Sequence, residues 1–187
     1  MGRTSILATR PLTDGKIMAR RCKMNAAAAP IARDPAISRL GVAWVLLCLA
    51  LAAHVTDEAL TGFLAVYNPT VLALRARLGF WPMPTFTFRE WLTGLVVGVL
   101  VLLALSPFVF RGSRWIRPLF YFFALLMITN GLGHTVGTIF GRTVSSLRFA
   151  RPMPGFYSSP LLLAASVYAL IQLRRTRQPR TADPQYR

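Results

Sequence analysis

Five residues in this chain could do chemistry in an apolar setting: His54, Asp57 and Glu58 in one apolar stretch, and Asn130 and His134 in another. An ionised carboxylate at the centre of a membrane helix is unfavourable by about 3 kcal/mol, so two adjacent ones need a compensating partner. At about 100° per residue, Asp57 and Glu58 fall on either side of His54, and all three point the same way. Asn130 and His134 are one helical turn apart and share a face. With Glu90 at the start of a further apolar stretch, the donors are two imidazoles, up to three carboxylates and an amide. This nitrogen and oxygen set without thiolate suits zinc, iron or manganese. Such an ion would lower the pKa of a bound water or, as iron, activate oxygen. A carboxylate left over would act as general base or orient an imidazole.

Some chemistries do not match. His54-Val55-Thr56-Asp57-Glu58 is neither of the zinc-protease helix motifs. Two histidines are too few for a histidine-box desaturase, and no phosphate loop or nucleophile elbow is visible. Cys22 and Cys48 lie in different settings, with no metal-ligand spacing.

The elements that must position these residues read as membrane spans. Of the 187 residues, 54% are hydrophobic and only 15% charged, and the mean hydropathy is +0.47. A soluble domain carries about 25% charged residues. The first span begins near Arg39, continues past the acidic cluster to Val66, and is expected to end at Tyr67-Asn68-Pro69. Residues 70–80 are amphipathic and suit a short interfacial helix. Trp81-Pro82-Met83-Pro84 reads as a loop. Further spans are expected over about 91–110, 115–140 and 156–173, each near the roughly 20 residues that cross a bilayer. The expected fold is therefore all-α: a bundle of four transmembrane helices (38–173) between a disordered basic arm (1–37) and a basic tail (174–187). A cleaved leader over residues 24–53 is the weaker reading, because the apolar run continues beyond it.

The net charge of +16 would suggest nucleic acid in a soluble protein. Here its placement suits membrane topology and anionic headgroups at the termini instead, so no nucleic acid is expected. Eight basic residues precede the first span, five follow the last, and Arg111, Arg114 and Arg117 lie between the second and third. The opposite loops hold Arg75, Arg77, Arg89, Arg142, Arg148 and Arg151. Both termini are therefore expected to be cytoplasmic, in a bacterial plasma membrane. Counted from Arg39 and Arg117, His54 and His134 lie at similar depth, roughly 22 and 25 Å along their helices. Gly133, Gly137 and Gly141 form one small-residue ridge, and Gly94 and Gly98 another. Both suit close packing within the bundle or between copies.

The chain resembles the HXXEE-domain family of small bacterial membrane proteins. The likeness rests on His54-Val55-Thr56-Asp57-Glu58, on Asn130 with Gly133-His134, and on the Arg151-Pro152-Met153-Pro154-Gly155 turn, and it covers about residues 40–173. That family is described as functionally uncharacterised, and the resemblance implies an integral membrane metalloenzyme. One departure is Asp57, where the family has Glu. Its carboxylate is one methylene shorter, which favours Glu58 as the ligand and Asp57 as its support. The expected ligands are His54, Glu58 and His134. Asp57 and Glu58 are the expected acid–base groups, and Asp57, Asn130 and Glu90 the expected orienting residues. The expected activity is that of a metal-dependent hydrolase or oxidoreductase on a lipid-like or amphipathic substrate. The alternative is a non-catalytic carrier or binding protein for a cation, a proton or an apolar ligand.

Overall fold

A computed structural model describes residues 34–144 and 147–176. The expected basic arm and tail fall almost wholly outside the described residues.

The first helix, α1 (Pro35–Thr61), starts where the Asp34 carboxylate accepts the Ala36 N–H at 2.9 Å, with Pro35 in the first turn. It buries Leu40, Trp44, Leu47, Leu51, His54 and Glu58, a spacing of three and four that makes one inward stripe. The helix stops earlier than its sequence suggests. Gly62 adopts φ +77°, and its N–H returns to the Glu58 carbonyl. That left-handed cap ends the helix without help from Pro69. Tyr67-Asn68-Pro69 lies instead inside the next helix, α2 (Leu64–Leu78). Asn68 straps the following loop to α2: its amide donates to the Phe86 carbonyl at 2.8 Å and accepts the Phe86 N–H at 3.1 Å.

The second apolar stretch is α3 (Phe88–Ala104) followed by the short α4 (Ser106–Phe110). The break falls beside Pro107, which has no N–H to continue the ladder. One carbonyl at this break, that of Leu102, accepts the Trp44 indole N–H at 2.9 Å. Trp44 is fully buried and meets Phe120 and Phe123 edge-on, with ring centroids 4.9 and 5.6 Å away. One side chain of α1 thus joins α3 to α5 (Ile116–Phe140). Gly41 makes room for the Phe110 ring, so α1 and α4 approach closely.

Gly141 (φ +64°) ends α5 and leads into a hairpin, β1 (Arg142–Val144) and β2 (Leu147–Arg148), which the all-helical expectation lacks. The last helix, α6 (Ser159–Arg175), packs on both α1 and α5. Apart from the hairpin, the regular structure among the described residues is helical. Among the described residues, three segments are long and apolar enough to cross a membrane: Pro35–Thr61, Phe88–Phe110 and Ile116–Phe140. α6, with 17 residues, turns Ser159, Ser166 and Gln172 inward and falls short of that standard. Of the two glycine ridges, Gly137 and Gly141 receive Met153 and Arg151, whereas Gly133, Gly94 and Gly98 face open space.

Candidate metal centre

The ends of α1 and α5 and the approach to α6 meet around one carboxylate. Glu58 Oε1 lies 3.0 Å from His134 Nε2 and 3.5 Å from His54 Nε2. The two imidazole rings stand edge to face, 4.7 Å apart at their centroids. All three side chains are buried. Ligand atoms of His54, Glu58 and His134 lie within 4.8 Å of one another, so the group can hold a metal ion. Tetrahedral bonds of about 2.0–2.1 Å set neighbouring ligand atoms about 3.3–3.4 Å apart. The separations from Glu58 bracket that value.

The hydrogen bonds around His54 carry the geometry further. Ser158 Oγ faces two acceptors, Asp57 Oδ2 at 2.8 Å and the Gly155 carbonyl at 3.2 Å, and donates its one proton on that side. It then accepts from His54 Nδ1, also at 2.8 Å. The Ser158 backbone N–H donates to the same Asp57 oxygen at 2.8 Å. The hydroxyl therefore relays the carboxylate to the imidazole and fixes the proton on Nδ1. On a neutral His54, the Nε2 lone pair then faces Glu58 Oε1 and, at 3.0 Å, Asn130 Oδ1. A lone pair aimed at two oxygens in a buried site is unfavourable unless a positive charge or a donated hydrogen, such as that of an Asn130 amide turned about, lies between them. A metal ion on Nε2 supplies that charge, and so does a second ring proton. On the other imidazole, His134 Nδ1 is buried with no hydrogen-bond partner.

Gly155 closes the site from the side of α6. Its φ is +82°, and a Cβ there would lie 2.9 Å from Glu58 Cγ, 2.9 Å from His134 Cε1 and 3.0 Å from His134 Nδ1. Its N–H donates to Thr61 Oγ1 at 3.1 Å, and its carbonyl accepts Ser159 Oγ at 2.7 Å. The turn before α6 is thus tied to the last turn of α1.

Most of the expected site residues are brought together. His54, Glu58 and His134 form the group itself, and Asn130 meets His54. Asp57 leans away from the group and acts on His54 only through Ser158. Glu90 takes no part: its carboxylate accepts the Thr87 N–H at 2.9 Å and caps α3. Thr87-Phe88-Arg89-Glu90 has the spacing of a capping box, which explains the difference. Ser158, Gly155 and Thr61 are the participants that sequence reasoning misses. The readable signal was Ser158-Ser159-Pro160, a hydroxyl residue before a proline at a helix start.

No protein-family model, curated protein or solved structure matches this chain. Its function is therefore argued from the site alone.

Proposed function

We propose that this chain is a multi-pass membrane metalloenzyme that holds one divalent transition metal (zinc, iron or manganese) on His54, Glu58 and His134. The observation that carries the reading is the approach of both Nε2 atoms to one buried carboxylate oxygen, with the His54 lone pair set toward it. In this reading α6 is a fourth span, α2 lies along the interface, and both termini are cytoplasmic. The resemblance to the HXXEE-domain family belongs to the same proposal.

When bound, the ion would act as a Lewis acid and lower the pKa of a water at an open position. The protein residues do the remainder. Ser158 holds the His54 tautomer, and Asp57 accepts the hydrogen bond of its hydroxyl. Asn130 sits against His54 Nε2, where its amide can orient the ring or a bound water. Three protein ligands leave room for water and substrate, as catalytic sites require. A hydrolase or oxidoreductase acting on a lipid-like or amphipathic molecule fits a centre buried among apolar helices.

The test is the metal content of protein purified in detergent without added metal, measured by elemental mass spectrometry. About one zinc, iron or manganese per chain is expected, lost in His54→Ala and in Glu58→Gln, with the apo variants still melting cooperatively. Metal-free protein, or content unchanged in both variants, refutes the metalloenzyme. The same residues would then be read as a proton relay in a carrier.

A further inference from the structure

We propose that Arg142, Arg148 and Arg151 form a binding site for a phosphate-bearing anion at the hairpin end of the bundle. The inference is independent of the metal centre. In the hairpin, Arg142 stands directly opposite Arg148. Residues so paired project to one face with their Cβ atoms about 4.5–5.5 Å apart, and like charges placed this way repel. Arg151 joins them from the other side of the turn. Its Nε lies 2.8 Å, and its Nη2 3.2 Å, from where a Cβ on Gly141 would sit, so the guanidinium rests on the glycine that leads into Arg142.

The three arginines, with Phe140, Gly141 and Phe149, line an open cleft of about 320 Å3. All three are exposed. Among the described residues none is paired with a carboxylate, and the ion pairs all lie within the His54–Glu58–His134 group. Three uncompensated cations around one cleft are unfavourable when it is empty and favourable once an anion enters. The planar guanidinium fork matches phosphate oxygens two at a time, and a phosphate group offers enough oxygens to engage three forks. Phe140, 61% exposed, forms an apolar rim beside the charge. Inorganic phosphate and the headgroup of an anionic phospholipid share this chemistry.

The experiment uses the full chain in an uncharged detergent and phosphate-free buffer, with thermal unfolding as the readout. Three probes are titrated: inorganic phosphate, short-chain phosphatidylglycerol and short-chain phosphatidylcholine. Saturable stabilisation by phosphate and phosphatidylglycerol identifies the phosphate itself as the ligand. Stabilisation by phosphatidylglycerol alone identifies an anionic headgroup with its acyl chains. Arg142→Gln, Arg148→Gln and Arg151→Gln should each weaken the response about fivefold, and Arg174→Gln, at the opposite end, should leave it unchanged. Without anion, Arg148→Gln should melt no lower than the parent, because it relieves the pair. No response to either anion, an equal response to phosphatidylcholine, or a response that survives all three substitutions would overturn the site.

Discussion

Gly155 offers the sharpest test of how the centre is built. Replacing it with alanine puts an L side chain at φ +82°, which is unfavourable by about 1–2 kcal/mol. The new methyl would also press on Glu58 Cγ and His134 Cε1, both at 2.9 Å. Neither contact can swing aside freely. The Glu58 carboxylate lies between two imidazoles, and the His134 ring is closed in by His54 and, at 5.7 Å, by Phe63. Overpacking of this kind adds about 1–3 kcal/mol. The total, about 2–5 kcal/mol, falls on two of the three ligands. Gly155→Ala should therefore weaken metal binding at least about 30-fold and lower the melting temperature. Gly98→Ala is the comparison. Its Cβ would meet nothing within 4 Å, and α3 would gain up to about 1 kcal/mol in helix propensity. Affinity is read by competition with a chromophoric chelator, and stability by thermal unfolding in detergent. If Gly155→Ala binds and melts like the parent, or if Gly98→Ala does equal damage, the packing described for the centre is wrong.

Two further outcomes follow from the hydrogen bonds. Ser158→Ala deprives His54 Nδ1 of its acceptor and Asp57 of a donor, and should lower metal affinity about 10–100-fold. Ser158→Thr, which keeps the hydroxyl, should recover most of that loss, and a titration indistinguishable from the parent would refute the relay. Trp44→Phe removes the indole donor to the Leu102 carbonyl, which keeps only the Leu105 N–H at 3.2 Å, and should lower the unfolding free energy by about 0.5–1.5 kcal/mol while leaving metal affinity unchanged. A loss of metal with no loss of stability would contradict that assignment.

The centre was legible in sequence because its members are rare in their setting. Two histidines in the whole chain, each inside an apolar stretch and each at a similar count from flanking arginines, point to a shared layer. Their rings stand 4.7 Å apart. The separation of Asp57 from Glu58 also has a local cause: adjacent helical residues diverge by about 100°, so one faces α5 and the other the start of α6. Ser158 was hidden because serine is ordinary at a helix start, and only the folded bundle sets it against Asp57. α1 ends before Pro69 because a left-handed glycine is the earlier stop. Gly62 stops the helix by its backbone conformation, while Pro69 is accommodated within α2. The hairpin left almost no trace, since strands of three and two residues carry too little alternation to register.

The turn that carries Gly155 and Ser158 also sets an order of assembly. The first helix carries Asp57 and Glu58, yet the groups that answer them arrive on segments some 75 to 100 residues later. For a chain made in sequence order, α1 therefore forms before the groups that answer its carboxylates, and an ionised carboxylate at the centre of a membrane helix is unfavourable by about 3 kcal/mol. The Gly155 N–H on Thr61 Oγ1 then ties the end of the first helix to the turn before the last. A chain ending before residue 155 would keep the three segments that, among the described residues, are long and apolar enough to cross a membrane, and would lose the contact that holds the end of the first.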